Sequence, residues 1–456
     1  MYGIYVRTLA SADAEFPLQF SVYINKMPKE LNYWLTTVQM PAAPPQSLPE
    51  SADVAIIGAG FTGLSAALAL AKRGAKVVVL ESETIGWGAS SRNGGMVLPG
   101  LKLGVNKLIS MYGRELTRRM YAASLETIDA VERIIKEENI ACDFSRCGHL
   151  EVACKVAHFD DYARQVEVVA REFDHQMRIV SRDQLRGEIG SDIYYGGMVD
   201  EISAGLNPAR YVAGLADAAM RSGAQICERT RLQTIQHETR GGAPGFKLST
   251  ASGIMWARNV LIGTSGYTGS ATPALRKKII PIGSFIITTE VLSEALAREL
   301  SPRNRQIYDS KNFLYYYRLT PDNRMLFGGR AAFFPESDQT VRKSAEILRL
   351  GMIGVYPQLM NTKVEYVWGG TLDFCFDIMP HAGQVEGIYF ALGYAGHGVA
   401  MATYQGQKMA EWIAEGKANN PFAEIKFPGA PLGLYNGKPW FLPFAGAYYK
   451  ILDWVS

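Results

Sequence analysis

At 456 residues, 48% hydrophobic and 20% charged, the chain is long enough for two or three folding units and a core that encloses a ligand. Its 47 Lys and Arg against 44 Asp and Glu leave a net charge of +3, which excludes a disordered chain. No basic excess and no long Lys/Arg run points to nucleic acid, and neither the five cysteines nor the six histidines show metal-ligand spacing, so no metal is expected.

The first 40 residues mix apolar and charged positions and lack a signal-peptide core. Residues 1–50 read as a lead-in outside the main core, ending in a linker with Pro41, Pro44, Pro45 and Pro49. A βαβ pattern follows: an apolar strand over 54–57, a small-residue helix over 61–73 stopped by Gly74, and a strand over 76–80. An amphipathic helical pattern runs over 105–139 with a break near Gly113. An apolar stretch at 150–156, helices over 159–173 and 207–222, and a strand over 224–228 come next. Residues 246–250 and 254–262 bracket a turn at Ala251-Ser252-Gly253 and read as a hairpin. The stretch 279–330 is β-rich, with strands over 284–290, 313–318 and 324–328. A helix over 341–356, a strand over 387–391, a Gly-rich turn and a helix over 399–415 complete the pattern. No apolar run reaches the length of a membrane-spanning helix, so the expected location is cytoplasmic. The aromatic stretch 439–456, with Trp440, Phe444, Tyr448 and Trp454, reads first as a tail docked on its own protein. Its second reading is a peripheral membrane contact.

Gly58-Ala59-Gly60-Phe61-Thr62-Gly63 is a GxGxxG pattern between an apolar strand and a helix, and the next strand ends in Glu81. Gly58 permits the turn, Gly60 lets backbone approach a pyrophosphate, and Gly63 lets helix and strand pack closely. The N–H groups at Phe61 and Thr62 open a helix whose partial positive charge suits phosphate. Glu81, followed by Ser82, suits ribose hydroxyls and disfavours a 2′-phosphate.

A second Gly-rich run follows: Gly86-Trp87-Gly88-Ala89-Ser90-Ser91-Arg92-Asn93-Gly94-Gly95-Met96. With it the chain resembles the flavoprotein family of glycine oxidase, sarcosine oxidase and D-amino acid oxidase, in which such a loop lies along FAD. The resemblance implies non-covalent FAD, with Arg92, Ser90 and Ser91 suited to its pyrophosphate and Gly94-Gly95 beside a flat ring. Two later pieces extend it. Residues 260–266, with Thr264 and Gly266, look like the family's second cofactor contact. Gly393-Tyr394-Ala395-Gly396-His397-Gly398, leading into Val399, looks like its C-terminal flavin loop. Leu232 stands where the family usually places an apolar residue against adenine. The implied fold is mixed α/β, a Rossmann-like FAD-binding domain over 51–145, 200–275 and 365–425. A β-sheet-rich substrate domain over 146–199 and 276–364 interleaves with it, and 426–456 forms the tail.

Residues 85–95, 316–324, 379–380 and 443–449 are similar to the branch that oxidises gamma-glutamylputrescine. That implies oxidation of a C–N bond in an amine or acylated polyamine by hydride transfer to flavin N5. The imine then hydrolyses to an aldehyde. Residues 370–374 lack the Arg that clamps an amino-acid carboxylate in glycine-oxidase-like members, and Ala400 replaces a Lys of sarcosine-oxidase-like members. Both differences tilt the reading from amino acids to amines. Asp373 offers a charge for a substrate ammonium, and Arg330 for a distant acyl or carboxylate group. His397 is a candidate for the flavin edge or substrate. Tyr315, Tyr316, Tyr317 and Trp368 are candidates for aromatic walls. Strand alternation puts Tyr315 and Tyr317 on one face and Tyr316 on the other; only one face can line a site, and Tyr315 and Tyr317 are taken as that face. Cys375 reads as a packed thiol. Leu326 stands where those relatives carry an oxygen-activating Lys, so the acceptor is oxygen or a quinone or other electron carrier. Two alternatives stay open: a secondary or cyclic amino-acid dehydrogenase feeding a quinone, and a flavin-binding protein without turnover.

Overall fold

The computed structural model describes residues 28–43, 47–329, 338–446 and 448. Its α/β architecture rests on two large sheets. In the first, Ser51–Ile57 pairs in parallel with Val77–Leu80 on one side and Gly253–Ile262 on the other. Gln225–Cys227 and Ile388–Leu392 extend the parallel set. Leu232–Arg240 and Ala243–Thr250 add an antiparallel wing, and His381–Val385 pairs with Ile388–Leu392. The runs Val54 to Ile57 and Val77 to Leu80 are continuously apolar, as a parallel strand covered on both faces requires.

Helix Phe61–Lys72 packs between helices Pro208–Arg221 and Gly398–Glu415 as well as on its own sheet. Nearly all its residues are buried, so its Ala, Leu, Gly and Ser composition has to be apolar all round. The crossing with Gly398–Glu415 is close. A Cβ at Gly406 would collide with the Ser65 hydroxyl and the Thr62 carbonyl. The long helical pattern divides at Gly113, which has φ +78° and joins Val105–Tyr112 to Arg114–Glu138.

The second sheet has nine strands in the order Lys29–Glu30, Val364–Phe374, Ile280–Thr289, Met325–Gly329, Tyr315–Leu319, Gln306–Asp309, His149–Val152, Gly196–Asp200 and Arg178–Ser181. Helix Asp338–Val355 covers one face, with Phe285, Ile287, Tyr317, Phe327, Leu348 and Met352 in the shared core. The opposite face carries Ser284, Tyr316 and Gly370 toward the loops of the first sheet.

Three findings differ from the sequence reading. The segment after residue 27 is not a lead-in outside the core. Lys29–Glu30 pairs with Val364–Phe374, and Trp34 is fully buried with its indole N–H on the Asn93 carbonyl at 2.9 Å. Leu232–Arg240 is a strand without an apolar alternation, because most of it faces solvent. The 11-residue strand Val364–Phe374 was not expected, since Gly369-Gly370 interrupts its apolar pattern. It pairs with Ile280–Thr289, so a boundary at 365 falls inside the second sheet. The division into a cofactor part and a substrate part is kept as a proposal, with this strand counted in the second. Among the described residues, no helix is long and apolar enough to cross a membrane.

Gly406→Ala tests the helix crossing. Overpacking of a tight contact costs about 1–3 kcal/mol. The expected result is a lower urea midpoint with an unchanged denaturant slope.

Candidate active site

Two cavities lie side by side between the sheets. The larger, about 370 Å³, runs along the turn after Ser51–Ile57. It is lined by Gly58, Gly60, Phe61, Thr62, Glu81, Ser82, Gly88, Ala89, Ser90, Asn93, Leu232, Thr264, Gly396, Gly398 and Val399. All of these were expected at the cofactor. The smaller, about 120 Å³, opens on the substrate sheet. Ala89, Asn93, Thr371, Leu372, Gly396 and Val399 line both, so the two are continuous.

The larger cavity follows from local backbone. Gly58 adopts φ +102°, and a Cβ at Gly63 would strike the Gly58 carbonyl. Only glycine at 63 therefore lets the helix begin this close to the strand. The Phe61 N–H at the helix start is met by the Ser90 hydroxyl at 2.9 Å. Glu81 accepts from the Ala59 N–H at 2.8 Å and the Glu83 N–H at 2.9 Å. Thr62 and Tyr394 share a hydroxyl contact of 2.7 Å.

Several expected cofactor residues act behind the cavity wall instead. Ser91 is fully buried and its carbonyl accepts from Asn32 at 2.8 Å. Gly95 accepts from buried Arg318 at 3.0 Å. Gly266 packs on the Leu372 carbonyl, and Gly393 packs against the Cys375 sulfur. Arg92 does not line the larger cavity. Its guanidinium donates to the Trp87 carbonyl at 2.7 Å and the Gly369 carbonyl at 3.0 Å, and it borders the smaller one. Gly94, Met96 and His397 also line the smaller cavity.

The substrate candidates are corrected more strongly. Tyr317 is fully buried, stacks on Phe327 and donates to the Tyr194 hydroxyl at 2.8 Å. Tyr315 packs on Gly351 and Phe327. Both face helix Asp338–Val355, because that side of the strand holds the core. Tyr316, on the other side, lines the smaller cavity against Gly94 and Gly328. The alternation was right and the face was reversed. Trp368 lines neither cavity and donates to the Arg92 carbonyl at 3.0 Å. Arg330 lies outside the described residues.

Asp373 borders the larger cavity but does not await an ammonium. It is buried and accepts from the Gly393 N–H at 2.6 Å and the Tyr394 N–H at 3.2 Å. Burial raises its pKa to about 6, against the pull of those donors. Among the described residues His397 Nδ1 has no hydrogen-bond partner, and burial holds the ring pKa well below its ordinary value, helped by the charges of Lys102 and His149. Cys375 is buried, lines neither cavity, and its thiol is pushed well up by burial. Lys102, Tyr308, Tyr267 and Phe374 were missed. Tyr267 and Phe374 sit at turns or strand ends without a motif, and Lys102 lies in an irregular loop.

Compared with known proteins, the chain matches the family of FAD dependent oxidoreductases designated DAO over residues 53–412. The chain belongs to this family and is an FAD-dependent oxidoreductase. It is 36% identical over 421 residues to a probable oxidoreductase OrdL of Haemophilus influenzae, covering 90% of this chain and 94% of that one. It is 34% identical over 418 residues to gamma-glutamylputrescine oxidoreductase of Escherichia coli, covering 90% and 95%. Its fold is similar to glycine oxidase from Geobacillus kaustophilus, with TM-score 0.70 at 19% identity over 84% of this chain and all of that one. The glycine turn, the helix start beside it and the acid at the end of the second strand fit FAD.

The ionised Asp373 is disfavoured in the folded chain, so folding is aided by its protonation. Wild type loses stability relative to Asp373→Asn as pH rises from about 4 to about 6, by up to about 3 kcal/mol. Urea midpoints of both proteins across that window check this. A constant difference would contradict it.

Proposed function

We propose that the protein oxidises a C–N bond in an amine or acylated polyamine, with FAD held non-covalently in the larger cavity. In this reading the helix start at residues 60–62, together with the Ser90 hydroxyl that caps the Phe61 N–H, holds the pyrophosphate, Glu81 the ribose and Leu232 the adenine end. The loop 396–399 and helix Gly398–Glu415 present N–H groups at the flavin end. Bound there, FAD supplies the two-electron acceptor for dehydrogenation of the substrate. The resulting imine is hydrolysed to an aldehyde and an amine.

The observation that carries the reading is the chemistry of the smaller cavity. Met96, Leu98, Leu314 and Phe374 give apolar walls that favour the uncharged amine. The His397 ring is neutral and lines this cavity, and its Nδ1, which has no hydrogen-bond partner among the described residues, accepts an amine N–H in the Nε2–H tautomer. Similarity to gamma-glutamylputrescine oxidoreductase of Escherichia coli, at 34% identity, supports an acylated polyamine as the substrate class. Reoxidation is assigned to oxygen. A quinone or electron carrier is the second reading, favoured by Leu326, which is fully buried in an apolar cluster where a cation would assist oxygen.

An anaerobic panel of amines and amino acids tests the substrate class, read by loss of flavin absorbance near ~450 nm. Bleaching by acylated diamines and not by simple α-amino acids is expected. Bleaching by α-amino acids alone would sink the reading. Under air, stoichiometric peroxide supports oxygen, and turnover with dye alone supports the carrier. The dependence of kcat/KM on pH rises with the neutral fraction of the amine. His397 adds no step between about pH 6 and 8, because its ring stays neutral there.

A further inference from the structure

We propose that the C-terminal segment 431–448, together with a neighbouring group of cations, docks the protein on an anionic lipid surface.

The segment has a packed side and a bare side. On the packed side Tyr435 and Leu442 are buried in one apolar cluster with Ile280, Ile282, Phe374 and Ala395. The Tyr435 hydroxyl donates to the Ile279 carbonyl at 2.7 Å, and its ring meets Phe441 edge-on. On the bare side Leu434, Trp440 and Phe444 are 69%, 63% and 72% exposed, more than any other large hydrophobic side chain of the described residues. Tyr448, also exposed, continues the four-residue spacing of Trp440 and Phe444, which a helical stretch around 442–446 repeats on one face. Exposed apolar side chains scattered singly are ordinary, whereas Trp, Phe and Tyr gathered in a stripe suit a lipid interface.

The charge beside the stripe selects the lipid. Residues 261–289 and 425–448 hold Arg276, Lys277, Lys278, Lys426 and Lys438 and no Asp or Glu. The two stretches touch. A Cβ at Gly437 would strike the Arg276 side chain, and the Lys278 ammonium donates to the Phe427 carbonyl at 2.5 Å. Lys277, Lys426 and Lys438 are exposed. Glu424, just before the second stretch, is engaged by Arg119 at 2.5 Å. The whole chain carries only +3, so this face concentrates its positive charge. Each Lys or Arg near an anionic leaflet strengthens binding about fivefold. Lysine is depleted at the core of protein interfaces, which favours lipid over a protein partner here. The packed side also reaches the active site, since Leu372, Phe374 and Ala395 of the same cluster line the smaller cavity. A docked membrane adjoins the wall of that chamber, which suits an acceptor dissolved in lipid. The docking itself does not depend on which acceptor reoxidises the flavin.

The test uses the full FAD-loaded chain and flotation with vesicles of phosphatidylcholine, alone or with about 30% phosphatidylglycerol. Wild type is expected to float with the anionic vesicles and to dissociate as salt rises from about 0.05 M to about 0.5 M. Trp440→Ser combined with Phe444→Ser is expected to weaken binding about tenfold or more. Lys277→Gln combined with Lys438→Gln is expected to weaken it about tenfold on anionic vesicles. Flavin content and urea midpoint report whether each variant is folded, and the lysine pair keeps the test open if the aromatic pair destabilises the chain. No binding by wild type, equal binding to phosphatidylcholine alone, or binding that both pairs of substitutions leave unchanged overturns the proposal. Sedimentation velocity without lipid reads the other occupant. A dimer that Trp440→Ser with Phe444→Ser abolishes, in a chain that does not float, assigns the face to a second copy and also overturns the proposal.

Discussion

The site depends on how closely backbone meets backbone at the first turn. Gly63 rests on the Gly58 carbonyl, and Gly406 rests on Thr62 and Ser65 from the opposite side. Helix Phe61–Lys72 is therefore clamped between its own strand and the C-terminal helix with no side chain as spacer. A side chain at either glycine would push the helix start away from the groove. The clamp fixes where the first N–H groups point, and that direction is the asset of a helix N-terminus toward an anion. The large cavity exists because three backbone segments meet at this distance and then diverge.

The second sheet is tied to this frame through one strand. Val364–Phe374 belongs to the nine-stranded sheet, yet its end supplies Asp373, which gathers two N–H groups of the 393–394 segment. The same strand holds the Gly-rich loop, through the Gly369 carbonyl on Arg92 and the Trp368 indole on the Arg92 carbonyl. Asn32 and Trp34 take further carbonyls of that loop from the N-terminal side. A flexible Gly-rich segment thus becomes a fixed wall because its carbonyls are claimed by buried donors from distant parts of the chain. A buried carbonyl left unmet would cost free energy, so these donors hold the loop in one conformation.

What could be read from sequence divides along the same line. The GxGxxG turn, Glu81 and the C-terminal Gly-rich loop were legible because their residues act near one another in the chain, where spacing alone carries geometry. The break at Gly113 was legible for the same reason. Which face of 315–317 meets the cavity was not, since that is decided by helix Asp338–Val355 covering the other face. Asp373 and Arg92 were marked as charges for a ligand because sequence cannot show that backbone groups far along the chain already engage them. Lys102 carried no signal at all. It matters only because the fold brings an irregular loop beside Tyr308 and His397.

Those long-range placements also bear on the protonation state that amine oxidation needs. The reacting amine must be neutral, while most alkylamines are charged near neutral pH. An apolar chamber lowers an amine's pKa by desolvation, and a like charge in the wall lowers it further. Lys102 and Arg92 border the smaller cavity and are the charged residues of its described lining. His397 fits this field, since burial, with the Lys102 charge, depresses its basicity and leaves it as an acceptor and not a competing positive charge. Charge asymmetry between wall and ligand then replaces a dedicated base, and that is consistent with a chamber whose described lining holds no carboxylate.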